Sequence, residues 1–227
     1  MLYFVGDIHG DLDDLYREMK RVNFNKESDT LVCCGDLVDR GTKNEEVVDL
    51  IECDWFVPVR GNHDQFIIDS VYNDGWFDKH FHTKHGGEWF YELHEDKQKE
   101  LADKLSSVPF IMVVEYKDIR FGVAHGEVPL FYYKWEHFED DVNSENMVAI
   151  NGALWGRHII SAPLSAPILE DIDFVVHGHN GVNNPTIINN RVFLDTKDYK
   201  GLITIVSAHE IIEFAKEQSL KEIINVN

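Results

Sequence analysis

Residues 30–41 read TLVCCGDLVDRG, an apolar run that stops at a glycine and continues into a charged loop. The same arrangement occurs before it, in LYFVGDIHG (residues 2–10), and after it, in WFVPVRGNHD (residues 55–64). Each apolar run has the length and composition of a buried strand. The three segments therefore predict three strands whose carboxyl ends carry polar side chains.

Helical patterns separate these strands. Leu12, Leu15, Met19 and Val22 recur at helical spacing, and a second apolar stripe occupies residues 47–51. The resulting order, β-α-β-α-β, predicts a parallel sheet that is covered by helices.

The polar residues at the strand ends form a candidate site. In an open parallel sheet the carboxyl ends of the strands meet at one edge, where ligands bind. Carboxylate, imidazole and amide groups suit divalent ions such as Mn, Fe or Zn. Six such residues at five predicted strand ends suit two ions better than one, and Asp36 could bridge both ions. The six candidate ligands are Asp7, His9, Asp36, Asn62, His125 and His179.

The rest of the chain predicts a second sheet and two insertions. Residues 66–107 read as a helical, aromatic lid, and residues 127–166 read as a loop region with an acidic, solvated face. We expect one α/β domain over residues 1–227, with a two-sheet β-sandwich core flanked by helices. The strands predicted for the second, largely antiparallel sheet are 110–116, 119–124, 174–176, 186–188, 192–194, 202–206 and 211–214.

The charge balance limits the classes of partner. Lys and Arg number 21 against 41 Asp and Glu, which gives a net charge of −20. Such a chain is a poor binder of nucleic acid or of anionic membranes, since both need clustered basic residues. No apolar run reaches the ~18 residues of a membrane span, and the start lacks a signal peptide's apolar region. Three cysteines favour a reducing cytoplasm over a disulfide framework.

Three motifs carry a family resemblance when they are taken together. The segments GDIHG (6–10), GDLVDRG (35–41) and RGNHD (60–64) resemble the signature of the phosphoprotein phosphatase family within the calcineurin-like metallophosphoesterases. The chain length and the short insertion after the third motif resemble the bacteriophage lambda type of serine/threonine phosphatase and its bacterial relatives. The resemblance extends from Met1 to about Val206, and it implies the calcineurin-like metallophosphoesterase fold and a cytoplasmic monomer.

The resemblance also implies a role for each motif residue. Two divalent ions are the implied cofactors, with Mn foremost and Fe, Zn or Ni as alternatives. His63 resembles the general acid, and Asp39 the residue that orients it. The implied ligands are Asp7 and His9 for the first ion, Asn62, His125 and His179 for the second, and Asp36 for both. The implied phosphate contacts are Arg40, Arg60 and Arg157.

Elementary chemistry agrees with these roles. Two divalent ions lower the pKa of a bridging water to near 7, and the resulting hydroxide can attack phosphorus in line. A positioned acid assists the departure of a basic alkoxide, by about 10²–10⁴-fold. Arginine binds phosphate oxygens in pairs. We therefore predict direct hydrolysis of phosphoserine and phosphothreonine in proteins or peptides, without a phosphoenzyme.

The chain departs from the family pattern at several positions. Asp64 stands where many relatives have Glu, and His177 stands where an apolar residue is common. His177 could support a metal ligand from behind or be a strand residue with its own hydrogen bond, and we favour the second interpretation. Residues 195–198 read DTKD in place of the usual DTGA, so substrate preference could differ there, and Tyr199 is expected near the same loop.

Three histidines between residues 80 and 85 could suggest a third metal site. The aromatic neighbours indicate a packed or partner-facing lid instead. The histidines are His80, His82 and His85, and the neighbours are Trp76, Phe77, Phe81 and Trp89.

Three other functions compete with the phosphoprotein phosphatase. A hydrolase of dinucleoside polyphosphates shares the first and third motifs but often departs at Asp39 and Arg40. A nuclease of the same superfamily is disfavoured by the net charge of −20. A phosphoprotein-binding protein without activity is disfavoured because every candidate catalytic residue is present.

Overall fold

Two β-sheets form the centre of the computed structural model, which describes residues 1–73, 78–163 and 166–225. The strands are β1 (Leu2–Val5), β2 (Thr30–Cys33), β3 (Phe56–Pro58), β4 (Ile111–Tyr116), β5 (Ile119–Ala124), β6 (Phe174–His177), β7 (Thr186–Ile188), β8 (Arg191–Phe193) and β9 (Ile205–Ser207). The α-helices are α1 (Leu12–Arg21), α2 (Asn44–Val48), α3 (Asn62–Tyr72), α4 (Lys79–His82), α5 (Glu95–Ser106), α6 (Trp135–Asn143), α7 (Met147–Trp155), α8 (His158–Ser161), α9 (Lys197–Lys200) and α10 (Ala208–Asn225).

The first sheet has the strand order β3-β2-β1-β9. Strands β1, β2 and β3 are parallel, with Phe4 opposite Val32 and Val32 opposite Val57, which confirms the predicted β-α-β-α-β unit. Strand β9 pairs antiparallel with β1. The predicted strand 202–206 is therefore shifted to β9 and belongs to the first sheet rather than to the second.

The second sheet has the order β4-β5-β6-β8-β7. Strands β5, β6 and β8 run parallel, whereas β4 and β7 are antiparallel edge strands. The sheet is thus mixed, and the expectation of a largely antiparallel sheet was wrong. Strands β5 and β6 can pair in parallel because a long connection with three helices, α6 to α8, separates them, and β7 lies on the path from β6 to β8.

Alternating side chains of both sheets fill the space between them. Phe4 and Val32 of the first sheet meet Phe121 and Val176 of the second, and all four are fully buried. The rings of Phe4 and Phe121 lie 5.1 Å apart. Burial of each such side chain contributes about 1.5–3 kcal/mol, so this layer fixes the two sheets against each other.

Helices cover the outer faces of the sandwich. Leu12, Leu15 and Met19 of α1 pack on the first sheet together with apolar residues of α2, α3 and α5. On the other side, Trp135 and Phe138 of α6 pack with α7 on the second sheet. These layers leave the carboxyl ends of the parallel strands at one end of the sandwich.

One predicted strand is a helix. Residues 211–214 lie in α10, where Ala208, Ile211, Ile212 and Ala215 share one face that packs into the inter-sheet core. Their spacing of three and four residues is helical. The strand prediction was wrong because a short apolar run is compatible with a buried strand and with a buried helix.

The described parts of the two predicted insertions are mainly helical. Residues 66–107 contain most of α3, then α4, a π-helical turn (Thr83–Gly87), a 3₁₀ turn (Glu88–Glu92) and α5. Trp76 and Phe77 of the predicted lid lie outside the described residues. Residues 127–166 contain α6, α7 and α8. Among the described helices, none combines the length and apolar character needed to cross a bilayer.

Candidate active site

The loops after β1, β2, β3, β5 and β6 meet at one end of the sandwich and bring together the six predicted metal ligands. Several residues there have a left-handed backbone: φ is 50° at His9, 50° at Asp36 and 57° at His179. Non-glycine residues adopt this conformation rarely, and it often marks functional sites. Each of these loops turns sharply directly after its strand.

His9 offers one ring nitrogen to this group. Its Nδ1 donates to the carbonyl oxygen of Val38 at 2.8 Å, which leaves a lone pair on Nε2. That Nε2 lies 3.7 Å from Asp7 Oδ2 and 3.6 Å from Asp36 Oδ2, and it has no hydrogen-bond partner among the described residues. Burial lowers the pKa of His9 to about 3, so the ring is neutral.

Asp36 lies at the centre of the site. Its Oδ1 accepts a hydrogen bond from the backbone N–H of His63 at 2.9 Å and lies 3.3 Å from His125 Nε2. A side chain at Gly61 would place a Cβ 2.1 Å from the same oxygen, so this position requires glycine. Burial opposes ionisation of Asp36, but His125 and His63 outweigh it, with a hydrogen bond from His125, and lower the pKa.

His125 bridges the two sheets. Its Nδ1 lies 2.8 Å from the carbonyl oxygen of Cys34, and its Nε2 lies 2.9 Å from Asn62 Oδ1. Burial alone would lower the pKa of His125, but the carboxylates of Asp36 and Asp7 overcome it and raise the pKa to about 9.

His179 and Asp7 are joined through the backbone. The N–H of His179 donates to Asp7 Oδ1 at 2.9 Å. The ring of His179 accepts from Arg157 Nε at 2.9 Å, and burial, with His125 nearby, lowers its pKa to about 2. Burial raises the pKa of Asp7, and the carboxylates of Asp195 and Asp36 raise it further. An additional cation would relieve this repulsion.

Two overlapping sets of donor atoms result. Within each set, the atoms that could bind a metal lie within 4.8 Å of one another, and both sets contain Asp36. One set consists of His9, Asp36 and His63, and the other of Asp36, His125 and His179. Asp7 adjoins His9, and Asn62 adjoins His125. The arrangement fits two divalent ions that share one carboxylate.

His63 is paired with Asp39, as the resemblance implied. His63 Nδ1 donates to Asp39 Oδ2 at 2.7 Å, and both side chains are buried. This leaves His63 Nε2 facing the ligand group, 4.0 Å from Asp36 Oδ2 and 3.3 Å from Arg40 Nη2. The ring is thus oriented to exchange a proton through Nε2.

Two residues of the predicted lid also donate to Asp39, and a third contacts one of them. His82 Nε2 donates to Asp39 Oδ2 at 2.9 Å, Trp89 Nε1 donates to Asp39 Oδ1 at 2.9 Å, and Tyr91 reaches His82. The sequence pattern predicted a packed or partner-facing lid here and did not indicate these contacts with Asp39. The pair Gly86-Gly87 was a usable signal, because two adjacent glycines permit close approach of the backbone.

Arg40 and Arg157 lie at the mouth of the site. Arg40 Nη1 forms an ion pair with Asp198 at 2.9 Å, while Arg157 contacts His179. A cavity of about 400 Å³ opens beside them and is lined by Arg157, Asp198 and Tyr199, among other residues. The expectation that Tyr199 lies near the site agrees with this position.

Arg60 is not directed into this group, contrary to the expectation. Its Nε and Nη2 donate to the carbonyl oxygen of Val108 at 3.1 and 2.9 Å, Nη2 also donates to Ser106 O at 2.8 Å, and Nη1 donates to Gln65 at 3.0 Å. The guanidinium stacks on Phe110 at 4.4 Å. All three nitrogens are thus used to join α3 to the α5–β4 connection.

The other departures from the family pattern have structural explanations. Asp64 accepts from the backbone N–H groups of Gly61 at 2.8 Å and Leu37 at 2.9 Å, and so ties two motif loops together. His177 Nδ1 contacts the carbonyl oxygen of Ala124 at 3.1 Å, and its ring stacks on Phe193, as interpreted. Lys197 donates to the Ile8 carbonyl at 2.6 Å, which attaches the atypical loop to the first motif.

Comparisons with known proteins agree with this geometry. The family model described as calcineurin-like phosphoesterase matches residues 2–213. Serine/threonine-protein phosphatase 2 of Salmonella typhimurium is 28% identical over 203 residues, covering 87% of this chain and 88% of that protein. The similarity to this relative therefore extends over nearly the whole length of both chains.

Two further comparisons cover a shorter segment or have a lower sequence identity. The symmetrical bis(5'-nucleosyl)-tetraphosphatase of Aliivibrio fischeri is 44% identical, but over only 68 residues, or 29% of this chain and 25% of that protein. The structure of a Saccharomyces cerevisiae protein serine/threonine phosphatase superposes with a TM-score of 0.59 at 18% identity, covering 91% of this chain and 72% of that one. At this identity the superposition supports the fold alone.

Proposed function

The chain belongs to the calcineurin-like phosphoesterase family and is a phosphoric monoester hydrolase, and we propose that its substrates are phosphoserine and phosphothreonine in proteins. The observation that carries this proposal is the buried His63–Asp39 pair beside Arg40. An acid is needed most where the leaving group is a strongly basic serine or threonine alkoxide. The full-length similarity to a serine/threonine phosphatase points to the same substrates.

The residues at the strand ends fit the dinuclear divalent metal site that calcineurin-like phosphoesterases use. The unpartnered Nε2 of His9 and the repulsion among the buried carboxylates are the observations that favour cations there. When bound, two such ions supply Lewis-acid activation of the attacking water and of the phosphoryl oxygens. We assign Asp7, His9 and Asp36 to one ion, Mn by preference, and Asp36, Asn62, His125 and His179 to the other.

His63 is assigned as the acid. Water adds to phosphorus, the bond between phosphorus and the serine oxygen breaks, and the proton on His63 Nε2 passes to that oxygen; the added water gives up one proton to the solvent, and His63 is reprotonated from the solvent before the next turnover. Asp39 accepts from Nδ1 at 2.7 Å and so keeps Nε2 directed at the leaving group. Arg40 Nη2 lies 3.3 Å from Nε2, so a phosphate oxygen that binds to Arg40 would lie close to the acid.

Phosphate binding is assigned to Arg40 and Arg157. Both guanidinium groups reach the ligand group, and Arg157 also lines the adjoining cavity. Arg60 is assigned to holding α3 against the α5–β4 connection, since its donors are already used there. The net charge of −20 favours an isolated phosphate on a protein over a polynucleotide.

A substrate panel tests the proposal. Phosphate release would be measured with Mn²⁺ for phosphoserine and phosphothreonine peptides and for diadenosine tetraphosphate, with Asp36→Asn as the inactive control. We expect a higher kcat/KM on the phosphopeptides. A higher kcat/KM on diadenosine tetraphosphate would favour the dinucleoside polyphosphate hydrolase, which the short match over 68 residues leaves as the alternative. Release no greater than that of the control would refute both.

A further inference from the structure

The carboxylate of Asp39 accepts three hydrogen bonds. Oδ2 accepts from His63 Nδ1 at 2.7 Å and from His82 Nε2 at 2.9 Å, and Oδ1 accepts from Trp89 Nε1 at 2.9 Å. Asp39 and His82 are both fully buried. These bonds fix the rotation of the carboxylate. They therefore also fix the direction of the Oδ2 lone pair that accepts the hydrogen bond from His63 Nδ1.

The orientation of His82 is fixed from its other side. Because His82 Nε2 donates to a carboxylate, Nδ1 carries a lone pair, and the hydroxyl of Tyr91 donates to it at 2.8 Å. Tyr91 is only partly buried and lies on the 3₁₀ turn that follows Gly87. A hydrogen-bonded chain thus runs from Tyr91 through His82 and Asp39 to His63.

Two adjacent glycines, Gly86 and Gly87, make the contact between His82 and Asp39 possible. The π-helical turn brings Gly86, with φ of 99°, against the Asp39–Arg40 loop, where the N–H of Arg40 donates to the Gly86 carbonyl at 3.2 Å. A side chain at Gly87 would place a Cβ 2.1 Å from the ring of His82. The two glycines therefore allow His82 to enter beneath the loop that carries Asp39.

We propose that His82 and Tyr91 are positioning residues for the general acid, acting through Asp39 on the orientation of His63. This inference rests on the proposed function, in which His63 protonates the leaving oxygen. In this role both residues act through Asp39 and not on the substrate itself. Their role is to hold the Asp39 carboxylate at the one rotation that keeps His63 Nε2 on the leaving group.

Two substrates separate this role from a purely structural one. p-Nitrophenolate is a weak base and leaves without a proton, whereas phenolate and serine alkoxide need one. Loss of acid positioning must therefore reduce kcat on phenyl phosphate much more than on p-nitrophenyl phosphate. A general loosening of the fold would reduce both activities together.

The matched variants are His82→Leu and His82→Gln, because the glutamine amide can still donate to Asp39. We expect His82→Leu to lower kcat on phenyl phosphate by roughly 10-fold and on p-nitrophenyl phosphate by less than about 2-fold, which is part of the effect of a general acid. His82→Gln should stay within about 3-fold of the wild type on both substrates. Tyr91→Phe should show a smaller selective loss of the same sign.

The proposed function has its own control in this experiment. His63→Asn should show the largest selective loss on phenyl phosphate. If it does, and His82→Leu lowers kcat equally on both substrates or on neither, the positioning role is refuted while the acid role of His63 stands. If His63→Asn shows no selectivity, the acid role falls and the positioning role falls with it. If circular dichroism shows that His82→Leu is unfolded, Tyr91→Phe becomes the test of the positioning role. Equal changes in kcat on both substrates for Tyr91→Phe would then refute the proposal.

Discussion

Replacing Asp198 with asparagine tests whether Arg40 holds the phosphate of the substrate. Arg40 Nη1 donates to Asp198 Oδ1 at 2.9 Å, and the two side chains are 39% and 40% exposed. A phosphate that reaches Arg40 must therefore share the guanidinium with a carboxylate. The substitution removes the competing charge and leaves the size of the side chain unchanged.

The expected magnitude follows from the exposure of this pair. Exposed ion pairs contribute about 0.2–1 kcal/mol, and a factor of ten in affinity corresponds to about 1.4 kcal/mol. Asp198→Asn should lower both the KM for a phosphopeptide and the inhibition constant of inorganic phosphate by about 1.4- to 5-fold. The kcat should be equal or slightly lower, because product phosphate leaves more slowly. The effect should shrink at high salt, which screens exposed charges.

Glu213→Gln is the matched control for this substitution. Glu213 pairs with Lys216 at 2.9 Å, and both side chains are exposed. Because β9 runs antiparallel to β1, α10 begins at the end of the sheet away from the site. The control therefore makes the same change in net charge without affecting Arg40. Steady-state phosphate release at low and high salt is the assay. Equal shifts in both variants, or none in Asp198→Asn, would refute the assignment of Arg40.

Four further predictions follow from the site and its supports. His63→Asn should lower kcat on a phosphopeptide by about 10²-fold or more with unchanged metal content by elemental analysis; equal turnover would remove His63 from the acid role. Arg60→Gln should lower the free energy of unfolding in urea by about 2 kcal/mol and leave KM within about 2-fold; a large KM increase without destabilisation would restore Arg60 as a phosphate contact. Removal of metal with EDTA should lower the thermal midpoint by about 5–10 °C and abolish competitive binding of phosphate, and an unchanged midpoint would contradict the two-ion assignment. Asp171 accepts from the N–H groups of Trp135 and Glu136 at the start of α6, and these bonds outweigh burial and lower its pKa. Its stabilisation is therefore present above the unfolded pKa and is lost as pH falls through the lower folded pKa. Asp171→Asn should destabilise by about 1 kcal/mol at pH 7 in urea unfolding, and the difference should shrink steadily as pH falls below the unfolded pKa; a difference independent of pH would show that charge is not its source.

The ligand group could be predicted because its members follow directly from the strand pattern. Asp7, Asp36 and Asn62 come two to four residues after their strands, and parallel pairing brings those strand ends together. Their convergence needs only the order of strands and the rule that parallel strands end at one edge. His125 and His179 follow β5 and β6, which are paired in the same way.

The two arginines show where such reasoning stops. Arg40 and Arg60 both follow a strand in a charged motif, yet only Arg40 faces the site. Arg40 has φ of 66°, which turns its side chain toward His63, whereas Arg60 donates to Val108 on a segment 48 residues away. Neither the backbone angle nor the position of Val108 can be read from the motif, so the two side chains could not be separated.

The contact of the lid with Asp39 could not be predicted for a related reason. The aromatic neighbours of His82 correctly indicated packing, since Phe66 lies 5.2 Å from its ring and Phe90 6.4 Å. Burial and function are not alternatives here, because a buried imidazole must satisfy its two nitrogens. His82 forms these hydrogen bonds with Asp39 and Tyr91, so its burial itself required polar partners within the site.

The net charge of −20 does not exclude an anionic substrate, because the acidic residues of the site are buried where bound cations can offset them. Asp7, Asp36 and Asp39 are at most 4% exposed, so two divalent ions bound there would more than offset them in a region that salt screens little. Arg40 and Arg157 add positive charge only at the mouth. A single phosphate can enter this region, whereas a long polyanion must also lie along the acidic surface. The positive potential then depends on the ions themselves, which is why their removal should abolish binding as well as turnover.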